Sequence, residues 1–254
     1  SGMRLWMRRH MQDVFGQHKP VVFDKPATDG RRNMVWGAKQ SIGATARVED
    51  GFLRSRGLGA ELVPPVSLVV DDVGIYYDPS APSRLEQLIR QRATLREDQR
   101  RRAERLIKRL TELELSKYNI GTAPPDLPEG KKILVVGQVA DDASVRLGAE
   151  DGATNQTLLN AARAARPDDV LIYKPHPDVE AGLRDGALTE PNAADVVIDG
   201  ADIAQLLSQV DELWTMTSLA GFEALLRGVP VVTTGAPFYS GWGLTTDLGD
   251  VPPR

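Results

Sequence analysis

The sequence contains no cysteine and only three histidines, His10, His18 and His176. Disulfides and thiolate metal sites are thereby excluded, and a histidine-built metal centre has too few ligands, so no metal is expected. No apolar run is long enough to cross a bilayer and no secretory signal is visible, which leads us to expect a cytoplasmic protein. Ser1-Gly2-Met3 reads as an added leader and is set aside. An excess of positive charge is missing too. The 31 basic and 35 acidic residues give a net charge of −4, which argues against nucleic-acid binding but leaves room for a local basic face. Neither a G-x-G-x-x-G nor a Walker pattern occurs, so nothing supports a dinucleotide or P-loop site. What remains is a chain of 254 residues, enough for one large domain or two modest ones.

Met3 to Lys19 fits an amphipathic helix, with Trp6, Met7, Met11, Val14 and Phe15 on one side and basic residues on the other. Val21-Val22-Phe23, Asn33 to Gly37 and Ala44 to Val48 read as short strands, the first two separated by a turn at residues 26–30. The stretches 64–72 and 75–78 suggest a hairpin around Asp71 to Gly74. Ser83 and Glu86 form a capping box for a long helix or pair of helices running to Leu113. Arginines from Arg90 to Arg105 crowd its outer side, as on a solvated face or one that meets an anionic membrane. Residues 121–130, rich in proline and glycine, mark a linker between an N-terminal unit (1–120) and a C-terminal unit (131–254). Beyond it strands and helices alternate: Lys132 to Gln138, Asn155 to Ala165, Val170 to Lys174, Ala194 to Ile198, Ile203 to Val210, Glu212 to Met216, Gly221 to Arg227 and Pro230 to Thr233. That alternation implies a parallel α/β sheet of Rossmann-like type, with ligands at the carboxyl ends of its strands.

Three of those ends carry chemistry. The strand at Leu171-Ile172-Tyr173-Lys174 stops at Pro175-His176-Pro177, because proline cannot continue a central ladder. His176 can therefore serve as an acid or hydrogen-bond donor to a phosphate leaving group. Thr215, Thr217 and Ser218 lie between a strand and a helix, where free N–H groups and the helix dipole favour an anion. Asp141 and Asp142 follow the strand that ends near Gln138, and either can be an ionised nucleophile, an N-cap or a solvated turn residue. Glu49 and Asp50 from the first half supply a second carboxylate, which is the minimum set for a retaining displacement at a sugar's anomeric carbon.

The strings Val48-Glu49-Asp50-Gly51-Phe52-Leu53-Arg54-Ser55, Ser116-Lys117-Tyr118-Asn119, Val136-Gly137-Gln138-Val139-Ala140-Asp141-Asp142, Tyr173-Lys174-Pro175-His176-Pro177-Asp178, Met216-Thr217-Ser218-Leu219-Ala220-Gly221 and Gly235 to Thr245 resemble the bacterial capsular-polysaccharide β-Kdo transferases, KpsC-type retaining modules. The resemblance spans about Val21 to Leu244. It implies an α/β GT-B-like fold of two Rossmann-like domains facing across a cleft, and a metal-independent enzyme. The implied reaction moves Kdo from CMP-β-Kdo to a lipid-linked or Kdo-oligosaccharide acceptor at the cytoplasmic face of the inner membrane. Asp142 is implied as the nucleophile ahead of Asp141, and Asp50 ahead of Glu49 as the group serving the acceptor hydroxyl. His176, Thr217 and Ser218 are implied to hold the CMP phosphate. Gln138 and Pro177 are expected at the substrate, with Lys174 or Arg54 as the cation for Kdo's carboxylate. The Glu-Asp-Gly, His-Pro and hydroxyl elements are also similar to those of bacterial sialyltransferases, so an inverting enzyme is one alternative. A catalytically silent glycan- or nucleotide-binding module is another. Family members often carry two such modules in tandem, and the tail after Leu244 lacks the basic, tyrosine-rich continuation they would lead one to expect.

Overall fold

The structure is a computed structural model that describes residues 4–25, 30–39, 43–59 and 61–254. Its larger sheet has a centre of segments buried on both faces, β4 (Lys132–Val136), β5 (Val170–Lys174), β7 (Glu212–Thr215) and β8 (Val231–Thr233), and more exposed edges, β6 (Val196–Val197) and β9 (Thr246–Asp247). All pairings are parallel, in the order β6-β5-β4-β7-β8-β9. Such strands need cover on both sides. Ile133, Val135, Leu171, Tyr173 and Trp214 pack against Leu158, Leu159 and Ala162 of α5 (Asn155–Ala165). The alternate residues Leu134, Val136, Ile172 and Leu213 pack against Leu206 and Leu207 of α7 (Ile203–Leu207) and Ala224 of α8 (Leu219–Leu226). The strand order reverses between β4 and β7, and such a switch point leaves a crevice at the carboxyl ends of the strands. The expected parallel α/β organisation of residues 131–254 is thus present, with α4 (Ala143–Gly148), the short α6 (Pro177–Glu180) and β9 added to it.

The first half differs from a Rossmann-like sheet. Among the described residues it holds three strands, β1 (Met34–Trp36), β2 (Ala46–Asp50) and β3 (Leu68–Asp71), with β1 parallel and β3 antiparallel to β2. The expected hairpin at 71–74 is absent, because Asp71 terminates its strand. Its carboxylate is buried and accepts from the backbone N–H groups of Val73, Gly74 and Arg84, fixing the start of α2 (Arg84–Gln91). Residues 75–78 then turn inward. Val21-Val22-Phe23 forms no strand either: the Val21 N–H bonds the Gln12 side chain on α1 (Met7–Phe15), and Arg8 stacks over Phe23. The turn expected at 26–30 lies mostly outside the described residues, as does the leader at 1–3.

Ser83 and Glu86 make the expected capping box, and the long helical stretch divides into α2 and α3 (Glu97–Glu112). On α3, Arg100 and Arg101 pair with Glu97, and Arg100 also with Glu104, so these two arginines carry their own counter-charges. No described helix is long and apolar enough to cross a membrane. Residues 121–130 are irregular but docked, since the Thr122 N–H bonds the Gly200 carbonyl and Leu127 packs on the C-terminal core.

The two halves meet through rings. Phe52 stacks on Phe238 at 5.1 Å, Tyr76 meets Phe238 edge-on at 5.8 Å, and Phe222 and Tyr239 close the cluster. Truncation of Phe238, which is 5% exposed, empties the centre of this contact. We expect Phe238→Ala to cost about 3–5 kcal/mol in urea unfolding, whereas Leu88→Ala, on an exposed face, shifts it by less than about 0.5 kcal/mol.

Candidate active site

Where β4 and β7 diverge, the chain places an amide between them. Gln138 is 4% exposed, and its Oε1 accepts from the Thr217 N–H (2.8 Å) and the Thr215 hydroxyl (3.3 Å). The backbone donor fixes which end of the amide is oxygen, so Nε2 must donate. It does so to Thr217 Oγ1 at 3.0 Å. The Thr217 hydroxyl in turn donates to Ser144 Oγ (3.3 Å), and Ser144 donates to Asp142 Oδ1 (2.6 Å). Every donor in this chain points toward Asp142, a direction that suits an ionised carboxylate. The Ser144 N–H adds a bond to the same oxygen at 2.8 Å, so Asp142 also caps α4. Packing around Thr217 is tight enough to exclude side chains at two glycines: a Cβ on Gly235 would stand 2.9 Å from Thr217 Cγ2, and one on Gly148 3.1 Å from it.

The turn between β7 and α8 has the strand-to-helix form expected of it. Ser218 is the N-cap of α8, with its Oγ accepting from the Ala220 N–H. Its own N–H donates to Thr215 Oγ1 at 3.1 Å, and its carbonyl accepts from the Tyr239 hydroxyl. Across the crevice His176 caps α6, followed by Pro177 at the first helical position. His176 Nδ1 accepts from the Asp178 N–H at 3.1 Å, which places the neutral ring's proton on Nε2. Burial pushes this imidazole down to about 4, and the Lys117 ammonium acts in the same direction. It is therefore a neutral donor at pH 7 in the unliganded protein rather than a charged acid.

The carboxylates differ sharply in their surroundings. Asp141 is exposed and paired with Arg184, which holds it below the usual carboxylate range. Asp50 accepts from Arg54 Nε at 2.5 Å, and Arg54, only 2% exposed, also donates to Ser55. Glu49 accepts instead from the Tyr77 hydroxyl (3.2 Å) and the Asp50 N–H (2.9 Å), and burial raises its carboxyl to about 7. Gly37, at φ +60°, lies over the Glu49–Tyr77 contact; a Cβ there would stand within 3 Å of both oxygens. Lys174 is buried and donates to Glu180 at 3.0 Å, so its charge is already matched.

Of the residues singled out from the sequence, Glu49, Asp50, Arg54, Gln138, Asp141, Asp142, Lys174, His176, Pro177, Thr217 and Ser218 line one cleft of about 700 Å³ between the halves, while Thr215 is buried behind it. Four more belong with them. Ser144 links Thr217 to Asp142, Tyr77 holds Glu49, and Lys117 and Tyr118 come from the connection between the halves. Lys117 lies over the Tyr118 ring at 5.0 Å, and Tyr118 meets His176 edge-on at 6.0 Å. The Ser116-Lys117-Tyr118-Asn119 string was the available signal for that pair. No local pattern announces Tyr77. No group of three or more metal-ligating side chains occurs among the described residues. Chemically, the arrangement offers an aspartate held by hydroxyl and backbone donors, a carboxyl that titrates near neutrality, a helix N-terminus and a neutral imidazole donor around one space.

A family model described as capsule polysaccharide biosynthesis protein matches residues 21–124 and 122–252. The capsule polysaccharide modification protein LipA of Neisseria meningitidis is 46% identical over 241 residues, covering 89% of this chain and 34% of LipA. The lipopolysaccharide-processing protein LpsZ of Rhizobium meliloti is 46% identical over 257 residues, covering 96% of this chain and 57% of LpsZ. The chain thus spans about a third of the length of LipA and a little over half that of LpsZ. Among solved structures, the β-Kdo 2,4 transferase of Thermosulfurimonas dismutans KpsC superposes with a TM-score of 0.77 at 36% identity, covering 85% of this chain and 72% of that one. The β-Kdo 2,7 transferase of the same protein gives 0.76 at 34% identity, covering 99% and 83%.

His176 has a pH signature. Its folded pKa of about 4 lies below the ordinary 6.5, so as pH falls the unfolded chain takes up a proton first. Stability is accordingly lost between about pH 6.5 and 4. His176→Asn keeps an acceptor for the Asp178 N–H but cannot titrate, and we expect a shallower fall in unfolding free energy across that window. Identical slopes would contradict the assignment.

Proposed function

This chain belongs to the capsule polysaccharide biosynthesis protein family, of KpsC type, and we propose that it is a retaining glycosyltransferase that moves Kdo from CMP-β-Kdo to a lipid-linked or Kdo-oligosaccharide acceptor. The observation that carries the reading is the directed hydrogen-bond chain from Gln138 through Thr217 and Ser144 to Asp142, with Glu49 lining the same cleft. The solved relatives, named as β-Kdo transferases, support the substrate class. A cleft lined from both halves of the chain supports a GT-B-like arrangement.

In this reading the CMP phosphate lies at the start of α8, against Ser218, with His176 donating from Nε2. Asp142 attacks the anomeric carbon; an Asp142 oxygen–carbon bond forms, the carbon–phosphate oxygen bond breaks, and the electron pair leaves with CMP. The acceptor hydroxyl then attacks the same carbon from the opposite side, its proton passes to Glu49, and the bond to Asp142 breaks. Two inversions retain the configuration. Glu49 suits the base because burial places its titration near neutrality. Asp50, ahead of Glu49 on family resemblance, is assigned here to holding Arg54.

A transfer assay with analysis of the product anomer tests this. We expect a β-linked product, no transfer by Asp142→Ala, and a fall in kcat of about 10²–10⁴-fold for Glu49→Gln with CMP binding intact. An α-linked product, or full turnover by Asp142→Ala, would contradict the mechanism.

A further inference from the structure

Glu49 sits on β2, but its carboxyl is held by two other pieces of the first half. The turn after β3 brings Tyr77 to it: the buried Ile75 anchors that turn, and its carbonyl accepts from the Asp78 N–H at 3.0 Å. The loop after β1 supplies the rest, with Gly37 over the contact and the Ala38 backbone N–H at the phenol oxygen. That N–H occupies a lone pair of the phenol, so the hydroxyl proton goes to Glu49 Oε2, 3.2 Å away. Burial also pushes the phenol's own titration well above its ordinary value, so Tyr77 donates and does not ionise. The other carboxylate oxygen, Oε1, takes the Asp50 N–H at 2.9 Å. Each oxygen keeps acceptor capacity beyond its one protein donor, and Glu49 lines the cleft in which a hydroxyl would meet it.

A base in this position faces two opposed demands. It has to be ionised when the acceptor arrives, although burial favours the neutral carboxyl, and it has to keep a basicity that a paired guanidinium would take away. A phenol that only donates meets both, because it stabilises the carboxylate without adding a charge. We infer that Tyr77 is a positioning residue for the second displacement alone: its hydroxyl holds Glu49 ionised and aimed at the acceptor hydroxyl, and it has no part in the attack by Asp142. This rests on the reading above and adds to it a residue that acts on one step. The charged and titratable groups around Glu49 do not fill the role. Asp50 opposes ionisation, Lys117 favours it only at a distance, Arg47 is turned to the carbonyls of Gly37 and Lys39, and Tyr76 is buried and neutral. Arg4, Lys39 and Arg146 also line the cleft; they are the same in every variant below, so their field cancels in the comparison.

The two steps are read separately. Intact-protein mass spectrometry with CMP-β-Kdo and no acceptor times formation of the Kdo adduct, and transfer with acceptor present times its consumption. We expect Tyr77→Phe to form the adduct within about twofold of the unaltered rate, which also shows that it is folded. Transfer to the acceptor falls about ten- to a hundredfold, the worth of one hydrogen bond to a charged group. Losing a donor to the carboxylate raises its pKa, so the acidic limb of the transfer profile moves up by about one pH unit and high pH recovers part of the rate. In Glu49→Gln, adding Tyr77→Phe slows transfer no further. Equal slowing of both steps would make Tyr77 merely structural, and an unmoved pH limb or additive losses in the double variant would also overturn the assignment. If the unaltered chain formed no adduct, the retaining reading would fall and this inference with it; an adduct with unchanged transfer in Tyr77→Phe would remove only Tyr77.

Discussion

Gln138 spans the seam at which the strand order reverses, and the geometry of the cleft depends on its one buried amide. Two strands that diverge expose backbone and hydroxyl groups between them, and burying such groups unpaired costs about 1–3 kcal/mol each. The amide satisfies Thr215 and Thr217 together while its own backbone N–H and carbonyl are taken by Asn155. With both amide atoms committed, the Thr217 and Ser144 hydroxyls have one consistent direction in which to donate, and that direction ends at Asp142. Gln138 lines the cleft, where the sequence led us to expect it, and its amide also orients the hydroxyls beside it.

A second constraint is the sorting of charge. A cleft partly closed from water magnifies every unpaired charge in it, so charges there must be matched or used. Asp50, Asp141 and Glu180 are matched by arginine or lysine. Asp142 is instead held by hydroxyl and backbone donors, and Glu49 by a phenol and a backbone N–H, and neither has an ion pair among the described residues. His176 is kept neutral by the same burial. That separation leaves Asp142, Glu49 and His176 outside the salt bridges of the cleft.

The C-terminal sheet was legible because its strands are buried on both faces and read as apolar runs: β5 and α5 fall on the expected residues, and β4 within two of its end. The capping box at Ser83 and Glu86 was legible for the same local reason. Local pattern failed where a distant partner decides. Val21 to Phe23 looks like a strand until Gln12 takes the Val21 N–H, and residues 75–78 look like one until Asp71 gathers three backbone donors. In the cleft, residue type and strand-end position gave His176, Ser218 and Asp142. Which lysine or arginine keeps an unmatched charge depends on pairings such as Lys174 with Glu180, within one strand-to-helix turn, and Arg184 with Asp141, across the cleft rim. Spacing in the chain does not reveal them.

The central claim is that Asp142 bonds covalently to the sugar and that Glu49 serves only the second step. Intact-protein mass spectrometry of Glu49→Gln mixed with CMP-β-Kdo in the absence of acceptor tests both parts together. The account predicts a species heavier by one Kdo residue that persists in Glu49→Gln and is absent when Asp142 is also changed to Ala. An adduct that survives the loss of Asp142, or none in a chain that still transfers Kdo with retention, would contradict it.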